Sequence, residues 1–142
     1  MVSVSRWLPY AALTERLVMI LAATSLTAAL LRGADYLLLP QQEPGLSAAE
    51  AALPIRHWGA LLVLGVLLAV VGYLVHRWPV TILGHALLAG IFCAFGLGEI
   101  FTGIHNIAGD ELRTGIAFLC VQAVLHAELT VVAWRRWDAA RG

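Results

Sequence analysis

The chain has 142 residues, of which 61% are hydrophobic and 13% charged; its basic residues are all arginine and nine of them balance nine acidic residues. With a mean hydropathy of +0.84, so much apolar surface cannot be hidden inside a single soluble domain. The zero net charge supplies neither a basic face nor an acidic tail, so no nucleic acid is expected as a partner, and the lipid bilayer is.

A hydrocarbon core about 30 Å thick needs roughly 20 helical residues, each rising about 1.5 Å. Four stretches meet that length: 13–31, 57–75, 80–100 and 114–133. Lipid-exposed strands would leave backbone groups unpaired, and a barrel would alternate apolar and polar residues. The expected fold is therefore all-α: one four-helix transmembrane domain over 1–142.

The first span opens on Glu15 and Arg16 and becomes uninterruptedly apolar from Leu17. Small residues at Ala28 and Ala29 give it some likeness to a secretory signal, but its apolar section is long for one and Arg32 comes directly after it, which favours a retained anchor. In the connection to the second span, Ser47 with Glu50 has the spacing of a capping box. It predicts a short external amphipathic helix over 48–53, stopped by Pro54. The second span has no formal charge, and the His76-Arg77-Trp78-Pro79 turn makes it an antiparallel hairpin with the third.

Span three carries His85 near one end and Glu99 near the other, with Ala86, Gly90, Ala94 and Gly98 recurring every fourth residue on one face. Small side chains let a second backbone approach, which in lipid replaces the missing hydrophobic drive between helices. This face is read as packing within the bundle, with self-association as the alternative. A short connection near 102–113 contains the turn formers Gly103, Gly109 and Asp110. In span four, Gln122, His126 and Thr130 form a polar stripe, which should face protein or water. Glu128 points away from that stripe and is read as a helix-end charge neutralised by Arg135.

Arginine distribution sets the orientation. Both termini inside places Arg6, Arg16, Arg77, Arg135, Arg136 and Arg141 in the cytoplasm and only Arg32, Arg56 and Arg113 outside. The expected location is the cytoplasmic (inner) membrane, multi-pass. Trp58, Trp78, Trp134 and Trp137, with Trp7, fall at helix ends, where amphipathic rings anchor at the headgroups.

No G-x-S-x-G, H-E-x-x-H, phosphate loop or C-x-x-C occurs, and Cys93 and Cys120 both lie in apolar runs, so the expectation is a protein that is not an enzyme and holds no metal. His85 and His126 lie at similar depths on neighbouring helices. Two such imidazoles suit interhelical hydrogen bonding; the less favoured alternative is axial ligation of a haem b. Glu99, His105, Asp110 and Glu111 outline a weaker external cation site.

Leu13-Thr14-Glu15-Arg16-Leu17 at the first span, the apolar run from Trp58-Gly59 to Gly72, the Gly84-His85-Ala86-Leu87-Leu88-Ala89-Gly90 segment and the arginine-rich tail from Trp134 resemble small tetra-spanning membrane proteins of actinobacterial phages and prophages, some of them holin-like. The resemblance covers most of the chain. It implies a non-enzymatic protein of the cytoplasmic membrane whose helices associate laterally through small-residue faces, with the Gln122/His126 stripe lining or seeding a water-filled lesion. Competing readings are a structural or regulatory subunit of a membrane complex, or a b-type haem electron carrier using His85 and His126. The partner expected beside lipid is a second copy or another membrane protein.

Overall fold

The computed structural model describes residues 8–38, 49–106 and 109–142, with side chains for 14–38, 49–104 and 113–142. Among them the structure is all-helical. Helix α1 is Leu8–Leu38; after one 3-10 turn, Glu50–Ala52, come α2, Ile55–Leu74, and α3, Trp78–Asn106. The fourth rod is continuous but composite: α4, Gly109–Ala117, a π-helical segment, Phe118–Ala123, and α5, Val124–Ala139.

Four segments are long and apolar enough to cross a membrane: Thr14–Leu38, Ile55–Leu74, Trp78–Ile104 and Arg113–Ala139. Three of them exceed the apolar stretches seen in the sequence. Hydropathy ends at the first charges, whereas backbone hydrogen bonding carries a helix on through the headgroup layer. The 27 residues of the last segment would reach about 40 Å, beyond a hydrocarbon core of about 30 Å.

Helices adjacent in sequence pack side by side, with α3 and the composite fourth rod sharing the most extensive seam and α1 meeting α5 only slightly. Arg136 near the end of α5 pairs with Glu15 near the start of α1 at 3.1 Å, so the early turns of α1 and the late turns of α5 lie at one end of the bundle. The hairpin between α2 and α3 closes as expected. The Arg77 amide donates to the Gly72 carbonyl at 2.9 Å and the His76 amide to Tyr73 at 3.3 Å, the double bond of a Schellman cap. His76 occupies the left-handed position usual for glycine, with φ at 54°.

The α2–α3 seam is close because Gly84 faces the backbone of Ala69, and a Cβ there would also lie 2.7 Å from the Gly65 carbonyl oxygen. Gly96 and Gly115 do the same between α3 and α4, where a Cβ on Gly115 would come 2.8 Å from the Gly96 oxygen. The small-residue contacts are thus elsewhere than expected. Gly90 has nothing within 4 Å of its would-be Cβ, Ala86 is exposed and Ala94 half-exposed; only Gly98 is buried, against Ala49. Spacing placed these four on one face, and that face turns mostly outward.

The external helix over 48–53 is corrected as well. Positions 47 and 48 lie outside the described residues, and Ala49 leads into a single 3-10 turn without a side-chain cap. Glu50 is only 4% exposed: its carboxylate turns into the bundle, toward the half-buried guanidinium of Arg32. Below this turn sits the aromatic core. Phe95 meets Trp58 and Tyr36 edge-on with centroids 5.0 and 6.0 Å apart, and Phe92 lies 5.9 Å from Phe118.

Candidate functional site: a buried polar chain

In the half of the bundle that holds the Arg136–Glu15 pair, polar side chains from all four rods turn inward, two of them from the fourth. His85 of α3 and His126 of α5, both 0% exposed, meet with their Nδ1 atoms 2.9 Å apart. Beyond His85, its Nε2 lies 3.0 Å from the Tyr73 hydroxyl of α2. Beyond His126, its Nε2 lies 2.8 Å from Ser25 Oγ of α1, and Ser25 donates to Gln122 Oε1 at 3.2 Å. Phe92 stacks parallel to His126 at 5.7 Å and Tyr73 meets His85 edge-on, so carbon seals the sides of the chain.

The local fold explains the alignment. A π segment adds a residue to a turn and shifts the register of everything beyond it. The π turn over Phe118–Ala123 sets the register in which α5 follows, and Gln122 and His126, four residues apart, share the face toward Ser25. Such segments recur at functional sites.

The donor and acceptor inventory fixes how protons are arranged. A neutral imidazole has one N–H and one lone pair, so across the Nδ1–Nδ1 contact one ring donates and the other accepts. If His85 donates, its Nε2 must accept, and the Tyr73 hydroxyl supplies that proton. His126 then carries its proton on Nε2 and gives it to Ser25, which donates to Gln122. Every bond points the same way, from Tyr73 to Gln122, and no member is left unsatisfied. Reversing the tautomers and turning the Gln122 amide yields a second complete chain running from Gln122 to Tyr73.

Each end reaches a cavity. Tyr73 lines a cleft of about 580 Å³ between α1, α2 and α5. Gln122 lines another of about 410 Å³, together with Arg32, Asp35 and Phe118, roomy and polar enough for water. The slight contact of α1 with α5 is what leaves both spaces open. Above the second cavity Arg32 Nη2 pairs with Glu50 at 3.2 Å and Arg32 Nε donates to the Tyr36 hydroxyl at 2.8 Å. Tyr36 in turn bonds Glu50, and the Arg32 guanidinium stacks over Tyr36 at 4.7 Å.

The other expected residues divide. Glu128 is exposed, and the ion pair at its end of the bundle joins Arg136 to Glu15. Trp78 is clasped between Tyr73 and Arg136, while Trp134 and Trp137 form an edge-on pair, Trp134 being 55% exposed. Trp58 is half-buried, donates to the Glu50 carbonyl at 3.3 Å and belongs to the aromatic core. Glu99 is buried, and the side chains of His105, Asp110 and Glu111 lie outside the described residues. Among the described residues no three His, Cys, Asp or Glu side chains converge as metal ligands.

A bis-histidine haem requires an iron between the two ring nitrogens and a macrocycle around it. With Nδ1 atoms 2.9 Å apart and both Nε2 atoms engaged, these rings hold a proton between them and leave no room for either.

Fold and site together define an all-helical protein with four candidate membrane spans, a multi-pass arrangement, and a continuous polar chain at its centre. The chain matches no protein family, no curated protein and no solved structure with which it was compared.

Proposed function

We propose that this is a non-enzymatic, multi-pass protein of the cytoplasmic membrane that passes protons through its helix bundle along Tyr73, His85, His126, Ser25 and Gln122. The observation that carries this reading is the direct Nδ1–Nδ1 hydrogen bond of His85 with His126. A static interhelical tie needs one donor and one acceptor. This chain has five members in series, two complete polarities and a cavity at each end. A proton taken up by Tyr73 oxygen as its own passes to His85 Nε2 displaces the Nδ1 proton of His85 onto His126. His126 releases its Nε2 proton to Ser25, whose hydroxyl proton passes to Gln122 Oε1 while a Gln122 amide N–H proton leaves to water in the adjoining cavity. Charge and atoms balance: one proton enters, one leaves, and both imidazoles end in the opposite tautomer with Gln122 in its imidic form, so the two tautomers, the hydroxyls and the Gln122 amide must all reset before a second proton follows in the same direction.

The arginine distribution places the Tyr73 end on the cytoplasmic side. Proteoliposomes loaded with a pH-sensitive dye test the proposal. Under an imposed potential the protein should acidify or alkalinise the lumen according to sign, and His85→Phe or His126→Phe should abolish the flux. Flux no greater than in protein-free vesicles would refute it.

A holin-like action is a second proposal, favoured by the outward-facing Ala86 and Gly90, which leave a shallow groove for another copy. It would require the α1–α5 fissure to open, because the Gln122/His126 stripe is closed inside one chain. Abrupt growth arrest with release of a co-expressed endolysin would support it; tolerated expression would count against it.

A further inference from the structure

We propose that the larger cleft binds one acyl chain of an anionic phospholipid from the leaflet on the arginine-rich side. The cleft is walled on three sides, by α1, α2 and α5, and its α1 wall runs from residue 18 to residue 30. Those twelve steps span about 18 Å at the rise of a helix, close to one leaflet's half of a hydrocarbon core about 30 Å thick. It starts beside Trp78 and Arg136 at the bundle end marked by the Arg136–Glu15 pair, and stops near the bilayer middle at Leu30 and Val66. A cleft with that depth and position matches one lipid tail.

The wall is hydrocarbon: Met19 is 65% exposed and Leu30 43%, and Ala22, Ala23 and Ala133 keep the floor low. The mouth carries the Arg136 guanidinium, with Glu15 offsetting part of its charge. His76 and Arg136 line it, and the Arg136 guanidinium lies 5.4 Å from the Trp78 ring and pairs with Glu15 through Nη2. With five N–H donors on the guanidinium, Arg136 can hold Glu15 and still donate to a phosphate at the headgroup level. Free phosphate is a poor occupant, since it would leave the apolar walls wet. A zwitterionic lipid of the same chains fits the cleft but gains less from Arg136.

One consequence rests on the proton-relay reading. Tyr73 lines this cleft, so a seated chain restricts water at that end of the relay and slows it without stopping it.

Binding is tested by native mass spectrometry of the full-length protein in neutral detergent, titrated with phosphatidylglycerol, with phosphatidylcholine of identical chains, or with inorganic phosphate. One phosphatidylglycerol per chain should be retained, about fivefold more tightly than phosphatidylcholine, as one arginine at the surface supplies, and phosphate should give no adduct. Ala23→Trp, at an exposed position on the cleft wall, should lose the lipid while keeping its unfolding midpoint, with Thr27→Trp serving if it does not fold. Arg136→Gln should make the two lipids equal. Equal retention of both lipids by the unsubstituted protein, undiminished retention by the tryptophan variant, or a phosphate adduct without lipid would each overturn the site. Proton flux is measured separately: lost lipid binding with intact flux removes only the lipid site, and lipid binding without flux removes only the relay.

Discussion

Replacing His126 with leucine removes two hydrogen bonds at once, to His85 at 2.9 Å and to Ser25 at 2.8 Å. Ser25 still reaches Gln122, so the group left stranded is His85 Nδ1. Interhelical hydrogen bonds in membrane proteins average about 0.6 kcal/mol and reach about 1.7, which gives His126→Leu a cost of about 1–2 kcal/mol. His85→Leu loses the same shared bond and also the one to Tyr73. The shared bond is counted in both single variants and only once in the double. The double variant should therefore be more stable than the sum of the singles by about 0.6–1.7 kcal/mol. Reversible unfolding in mixed micelles, with unfolding free energies for all four proteins of the cycle, measures this. Additivity within about 0.3 kcal/mol would mean that the two rings do not bond, and the chain through them would be refuted.

Two further substitutions test the packing and the turn. Gly84→Ala should cost about 1–3 kcal/mol, because the added methyl meets the Ala69 backbone; Gly90→Ala, with open space beside it, should be neutral or stabilising by up to about 1 kcal/mol. Thermal unfolding in detergent checks both, and equal effects would contradict the inward and outward assignment of these positions. His76→Gly should raise stability by about 0.5–1 kcal/mol, since glycine relieves the left-handed strain at φ 54° and returns part of that gain through a freer unfolded chain. A lowered unfolding temperature would contradict it.

How much of the molecule was legible in the sequence depends on how each signal averages. Helical spans are read over about 20 residues, so Glu15 or Gln122 inside an apolar run does not erase them, and the hairpin at His76-Arg77-Trp78-Pro79 is punctuated by its own residues. The polar chain was legible only by halves. His85, Gln122 and His126 stand out because polar groups at membrane depth are expensive, yet Ser25 and Tyr73 look like ordinary members of apolar helices. Nothing local says that they complete the chain; the signal available was that each is a polar side chain inside a span. The π turn was invisible, since Phe118–Ala123 contains neither proline nor glycine. Fourfold spacing correctly put Ala86, Gly90, Ala94 and Gly98 on one face, but periodicity does not say toward which neighbour a face turns. Glu50 had the spacing of a helix cap, which does not announce that its carboxylate also pairs with Arg32 and Tyr36.

The directional hydrogen-bond chain is tested most directly by nitrogen-15 solid-state NMR of the reconstituted, histidine-labelled protein, with signals assigned against His126→Phe. One ring of the His85–His126 pair should be protonated at Nδ1 and the other at Nε2, with a correlation through the shared proton between the two Nδ1 nuclei. Two rings both protonated at Nε2, with no such correlation, would contradict it.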